Sequence, residues 1–224
     1  MNSLHNTLVS RIQAKVIGVT HLTQNAFILR MERNGMEFRA GQYVTIGFPG
    51  QVTRREYSIY SGEQDDFLEI LALGVPEGSF SRQLQQIKPG ASLMVEGPFG
   101  YFTLSENDPA KETFVFIATG TGISPFHSFV RTCPGLDYRL LHGIPTINDA
   151  YMAQDYDAER YTACTSRDRS GKFYGRVTDY LKQHDPVPQA GYYFCGNSRM
   201  IHDAMDILTE KGIDPAQFQA EVYY

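Results

Sequence analysis

The chain has 224 residues, 42% of them hydrophobic and 20% charged, with a formal net charge of −5. That composition is too apolar for a disordered chain, and the negative balance argues against nucleic acid as the main partner. No apolar run approaches the roughly 18–20 residues that cross a bilayer, so no membrane span is expected. The first ten residues lack the charged-then-apolar order of a signal peptide. Three cysteines, Cys133, Cys164 and Cys195, are spaced about thirty residues apart and form no zinc, iron–sulfur or even disulfide set. A reducing cytoplasm is therefore the expected compartment, and no metal site is expected.

The charge is uneven. Residues 1–55 carry Arg11, Lys15, Arg30, Arg33, Arg39, Arg54 and Arg55 against only Glu32 and Glu37. Two readings stay open: solvated strand edges, or a basic docking face for an acidic partner or anionic ligand.

Along the chain, β-rich runs at residues 12–19, 26–31, 42–48, 56–60, 67–73 and 92–95 are separated by turns such as Asn34-Gly35, Pro49-Gly50 and Pro89-Gly90. Short strands at that spacing predict a small antiparallel barrel. A helix is expected over 81–87, with Leu84 and Ile87 on one face. Residues 105–112, polar and containing a proline, are expected to link residues 1–104 to a second domain over 113–224. There the texture changes. Strands are predicted at 114–118, 138–141, 161–164, 192–195 and 218–223, and helices at 124–132, 177–184 and 199–211. This alternation predicts an α/β, doubly wound parallel sheet.

Thr119-Gly120-Thr121-Gly122-Ile123-Ser124-Pro125 follows a strand and opens a helix. Glycines let the backbone turn sharply and approach a ligand, and a helix start offers unpaired N–H groups to a pyrophosphate. Any strand-to-helix turn can use glycine, and the full G-x-G-x-x-G fingerprint of an ordinary NAD-dependent dehydrogenase is missing. In the first half, strand alternation puts Arg55 and Tyr57 on one face and Ser58 on the other or at an edge. Arginine can grip a phosphate through two parallel hydrogen bonds, and a tyrosine ring can face a planar heterocycle. Gly78-Ser79-Phe80-Ser81-Arg82 opens the first-half helix and forms a second candidate anion site. Arg167, Arg169, Lys172 and Arg176 cluster after the 161–164 strand, where the ribose of a bound nucleotide would lie. Cations there favour a 2′-phosphate and Asp168 dissents, while a plain solvated loop is the simpler alternative. The six histidines show no metal or dyad spacing.

R-E-Y-S at 55–58, G-S-F-S-R-Q-L at 78–84, G-P-F-G at 97–100, T-G-T-G-I-S-P at 119–125, Cys195-Gly196-Asn197 and the ending Glu221-Val222-Tyr223-Tyr224 occur in this order. Together they resemble the ferredoxin–NADP⁺ reductase family, bacterial type, over nearly the whole chain. The resemblance implies an FAD-binding antiparallel β-barrel followed by an NADP(H)-binding α/β domain. The activity implied is hydride exchange between NADP(H) and FAD, coupled to one-electron transfer with an acidic carrier, ferredoxin or flavodoxin. It implies that Tyr57 faces the flavin ring, Arg55 and Gly78, Ser79 and Ser81 hold the FAD pyrophosphate, and Ser58 hydrogen-bonds near the reactive nitrogen. Thr119, Gly120, Thr121 and Gly122 would cradle the pyridine nucleotide. Ser166, Arg167, Lys172 and Arg176 would read its 2′-phosphate, with Tyr174 on the adenine. Cys195, by itself a buried strand-end cysteine, would sit beside the nicotinamide. Glu221 and Tyr223 would complete the catalytic set with Ser58, and Tyr223 and Tyr224 would cover the flavin and the FAD adenine. Rival expectations are a free-flavin reductase using NAD(P)H, or an electron-transfer subunit that works only inside a larger complex.

Overall fold

A computed structural model describes residues 9–75, 79–104 and 113–223. Contacts divide the chain into one unit of Met1–Leu104 with His127–Thr132 and a second of Ser105–Phe126 with Cys133–Tyr224. The predicted linker 105–112, Gly78 and Tyr224 lie outside the described residues.

In the first unit, β1 (Ser10–His21), β2 (Ala26–Glu32), β3 (Tyr43–Gly47), β4 (Arg54–Ser58), β5 (Phe67–Leu73) and β6 (Ser92–Phe99) form an antiparallel sheet in the order β4-β3-β6-β1-β2-β5. A bridge from Ile59 to Ile70 brings the chain just past β4 against β5, so the sheet nearly closes on itself. Near-closure shields the strand edges that an open sheet would expose. Period-two alternation delivers Ala14, Val16, Phe27, Leu29, Met31, Val44, Ile46, Leu68, Ile70, Leu93 and Val95 to one core. The helix α1 (Ser79–Gln85) starts two residues before the expected 81. Phe80 and Leu84, four apart and so on one face, are its buried residues, and Ile87 is only partly buried beyond the helix end. Strand β6 runs on to Phe99 because Tyr43 of β3 pairs there.

The second unit holds β7 (Phe114–Thr119), β8 (Tyr138–Ile144), β9 (Tyr161–Thr165), β10 (Phe173–Tyr174), β11 (Gly191–Asn197) and β12 (Phe218–Tyr223) in a parallel sheet ordered β10-β9-β8-β7-β11-β12. Helix α2 (Ser124–Thr132) starts in this unit, its residues from His127 onward belonging to the first, and the helices α3 (Val177–Gln183) and α4 (Ser198–Glu210) accompany the sheet. Val115, Ile117, Leu141 and Phe194 pack with Val177 and Leu181 of α3 and Ile201, Ala204 and Leu208 of α4. Phe116 stacks on Phe126 at 4.7 Å and 9° and meets Tyr138 and Tyr193. Burial on both faces explains the continuous apolar run of β7. The two-residue β10 is too short to carry a periodic signal and was not among the predicted strands. No helix among the described residues is long and apolar enough to cross a membrane.

Strand β7 comes first in the sheet's chain order yet lies inside it. The chain moves to one side through β8, β9 and β10, then returns to the other through β11 and β12. The order therefore reverses between β7 and β11, and open α/β sheets bind ligands outside the carboxyl ends of strands at such a switch.

Candidate functional site

Parallel register decides which residues end together. Thr119 pairs with Gly143, Ile144 with Thr165, Cys195 with both Ala118 and Glu221, and Asn197 with Tyr223. The glycine turn, the loop after β9, and Cys195, Glu221 and Tyr223 thus share one carboxyl edge of the sheet.

Gly120–Ile123 forms a single turn of 3-10 helix that leads into α2. Gly120 has φ +54°, a conformation glycine enters without steric penalty, and a Cβ there would meet nothing within 4 Å. Gly122 is crowded instead: its Cβ would stand 2.3 Å from the Cys195 carbonyl oxygen. The Asn197 N–H donates to Thr119 Oγ1 at 3.0 Å, and the Asn197 side chain caps α4 by accepting from the N–H groups of Arg199 and Met200. Ser124 Oγ donates to the Thr121 carbonyl at 2.7 Å.

Beneath the turn lies His142 of β8, which is fully buried. Its Nε2 is 2.8 Å from the Gly120 carbonyl oxygen and its Nδ1 is 2.9 Å from the Tyr161 hydroxyl. A carbonyl can only accept, so Nε2 carries the proton and Nδ1 accepts from Tyr161. Burial lowers the His142 pKa to about 4 and raises that of Tyr161, keeping both neutral at ordinary pH. Sequence spacing had marked neither residue, because sheet register is what brings them together.

The loop after β9 is anchored by its backbone, with the N–H groups of Ser166 and Arg167 donating to the carbonyls of Ile144 and Pro145. Ser166, Arg167, Lys172, Tyr174 and Arg176 are exposed. Lys172 Nζ donates to the Ala158 carbonyl, and the Arg169 guanidinium covers the Tyr174 ring at 4.7 Å. The dissenting Asp168 is held in place: its carboxylate accepts the Ile147 N–H at 3.0 Å and the Ser170 N–H at 3.1 Å. The Ile147 bond, more than the others, holds its pKa below the usual carboxylate range.

Cys195 is fully buried. Burial pushes its thiol well above the ordinary pKa and Glu221 adds to the effect, against an opposing hydrogen bond with Tyr223. At neutral pH it is an uncharged thiol and no nucleophile.

In the first unit, Arg55 and Tyr57 pair with Ile46 and Val44 across β3. Tyr57 packs against the barrel core, and burial raises its pKa to about 12 against the pull of Arg55. Arg55 is exposed, with its guanidinium 3.4 Å from the Arg54 carbonyl, while Ser58 is buried. An exposed cation beside a ring with one packed side fits the phosphate and the flat heterocycle of a flavin nucleotide. Ser79 opens α1 and is exposed, and Ser81 Oγ accepts the Val75 N–H at 3.0 Å.

The basic segment is largely engaged within the barrel. Arg11 and Arg54 both lie 3.4 Å from Glu96, and Arg30 lies 2.7 Å from Glu69. Arg33 donates to the carbonyls of Met36, Glu63 and Asp65. Glu96 and Glu69, acids that come later in the chain, thus offset part of the cation excess of residues 1–55.

Comparison with known proteins matches residues 13–104 to the oxidoreductase FAD-binding domain and residues 116–206 to the oxidoreductase NAD-binding domain. A ferredoxin–NADP reductase of Azotobacter vinelandii is 27% identical over 233 residues, covering 89% of each chain. The toluate 1,2-dioxygenase electron transfer component of Pseudomonas putida is 28% identical, covering 94% of this chain and 67% of that one. A ferredoxin NADP⁺ reductase from Neisseria gonorrhoeae, solved with FAD and NADP bound, shares the fold with a TM-score of 0.84 and 23% identity, over 96% of this chain and 99% of that one. A near-closed antiparallel barrel followed by a parallel sheet, each matched by its own domain family, places the chain in the flavoprotein reductase family that joins an FAD-binding to an NAD-binding domain and includes the ferredoxin–NADP reductases.

Proposed function

We propose that this flavin oxidoreductase takes electrons from NADPH and passes them singly to an acidic carrier of ferredoxin or flavodoxin type, or runs that exchange in reverse. Residues 1–104 hold FAD, residues 113–224 hold the nucleotide, and 105–112 join them. Bound FAD supplies the conversion between a two-electron donor and one-electron acceptors. The chain binds and aligns. Arg55, with Gly78, Ser79 and Ser81, holds the FAD pyrophosphate; Tyr57 faces the ring and Ser58 hydrogen-bonds beside it. The Thr119–Gly122 turn cradles the nucleotide pyrophosphate. Cys195 presents a small uncharged side chain beside the nicotinamide, flanked by Glu221 and Tyr223, while Tyr224 covers the FAD adenine.

The observation that carries the choice of NADPH is the exposed Arg167 on the same sheet edge as the glycine turn, with the Asp168 carboxylate tied to Ile147 and Ser170. Ser166, Lys172 and Arg176 join Arg167 around the 2′-phosphate, which requires Lys172 to leave the Ala158 carbonyl. Tyr174 offers the adenine the ring face opposite Arg169. Anaerobic titration of the purified yellow protein with NADPH and with NADH tests this. Bleaching at far lower NADPH than NADH supports the reading, and equal response overturns it.

Likeness to the toluate dioxygenase component favours one second reading, delivery of electrons to an oxygenase system. NADPH-dependent reduction of ferredoxin or flavodoxin favours the first. Reduction of artificial acceptors alone favours the second.

A further inference from the structure

Gly120 poses a mechanical problem for a phosphate-binding turn. Glycine has the freest backbone of all residues, a Cβ here would meet nothing within 4 Å, and apart from His142 the peptide is restrained by a single turn of 3-10 helix. Such a turn has poorer hydrogen-bond geometry than an α-helix, so a second hold on the Gly120 carbonyl would limit rotation of the Gly120–Thr121 peptide away from a ligand. That peptide is held from below by the 2.8 Å bond between His142 Nε2 and the Gly120 oxygen, and His142 is in turn held through Nδ1 by the Tyr161 hydroxyl at 2.9 Å. In a trans peptide the carbonyl and the following N–H point in opposite directions. An oxygen drawn toward His142 therefore turns the Thr121 N–H away from it.

We infer that His142, held by Tyr161, is a positioning residue for nucleotide binding: its Nε2–H fixes the Gly120 peptide so that the Thr121 N–H faces the dinucleotide pyrophosphate. This rests on the reading that the glycine turn holds that pyrophosphate. His142 touches no ligand itself. It lies on β8 among Leu140, Leu141 and Ile144, where an apolar side chain would satisfy packing alone. The register that pairs Ala118 with His142, and Leu140 with Tyr161, brings the relay under the turn.

The test measures binding of NADP⁺, NAD⁺ and 2′-phospho-AMP to the FAD-loaded protein by calorimetry, with FAD content and unfolding midpoint recorded for each variant. His142→Met removes the donor at similar volume. It should weaken NADP⁺ and NAD⁺ by the same factor, about tenfold, the scale of one lost hydrogen bond, and leave 2′-phospho-AMP unchanged because that ligand has no pyrophosphate. His142→Gln restores an N–H donor and should recover most of the loss. Unchanged NADP⁺ binding in the Met variant, equal losses for all three ligands, or no recovery in the Gln variant would each overturn the proposal. If the Met variant does not fold, Tyr161→Phe decides: about a threefold loss confined to the dinucleotides supports the relay, and no loss sinks it. Wild-type protein that binds 2′-phospho-AMP as tightly as NADP⁺ would remove the pyrophosphate from the turn and overturn the underlying reading as well. Failure of 2′-phospho-AMP to bind at all would count against the role of Arg167, leaving the two dinucleotides to decide the role of His142.

Discussion

Gly196 and Thr119 meet where β11 and β7 end, so closely that a Cβ on Gly196 would stand 2.3 Å from Thr119 Oγ1. The same hydroxyl oxygen accepts the Asn197 N–H. The turn after β7 and the start of α4 are therefore built as one piece, with glycine as the only residue that fits between them.

Gly196→Ala should consequently destabilise the protein by at least about 2 kcal/mol. It combines overpacking, which typically costs about 1–3 kcal/mol, with a φ of +126° that alanine rarely adopts. Gly135→Ala, where a Cβ meets nothing within 4 Å, serves as the control and should change little. Urea unfolding of both variants checks this; similar midpoints would show that the close approach is not sensed.

Arg167→Ala should weaken NADPH binding by about 1.5–3 kcal/mol, the range for a lost charge-assisted hydrogen bond, and leave NADH nearly unchanged. Equal losses for both nucleotides would mean that Arg167 does not read the 2′-phosphate.

His142 should make the protein acid-sensitive in a defined window. Its folded pKa is about 4, lowered chiefly by burial and opposed by the Gly120 hydrogen bond and Asp149, against 6.5 for the free side chain. Below pH 6.5 the unfolded chain takes up a proton that the folded chain refuses. Stability is therefore fully present above pH 6.5 and falls as pH drops toward 4, by about 3 kcal/mol for this group. Because other groups titrate too, the readout is the difference between wild type and His142→Gln in unfolding free energy at pH 7 and pH 4.5. Parallel pH profiles would refute it.

The cysteines should divide by accessibility. Cys133 is exposed, whereas burial raises the Cys164 thiol to about 12 and pushes Cys195 well above its ordinary range. Iodoacetamide at neutral pH should label Cys133 alone in the folded protein, and all three after unfolding. Mass spectrometry that finds native labelling at Cys195 would contradict its packing against β12.

Periodicity and local turn chemistry made much of the fold legible. The strands 67–73 and 218–223 and the helix 124–132 are found at the expected bounds, because each carries its whole signal within a few residues. The glycine turn was legible for the same reason, since strand, glycines and helix start are contiguous. Helix α1 was misplaced by two residues because Leu84 pairs with either Phe80 or Ile87 at helical spacing, and only packing against the barrel core selects Phe80.

Local residue patterns set the two textures, the order of motifs and the strand–glycine–helix turn at 119–125. Tertiary structure decided what those residues do to one another. Gly196 lies inside the Cys195-Gly196-Asn197 motif, but its need to be glycine comes from Thr119, 77 positions earlier. Arg11 and Arg54 look like free cations until β6 brings Glu96 between them. His142 has no meaning in spacing, because its partners reach it from neighbouring elements, Tyr161 from β9 and Gly120 from the turn that follows β7. Strand and helix periods are set by bonds within a few residues, whereas sheet register joins residues distant in the chain, and no local pattern encodes it.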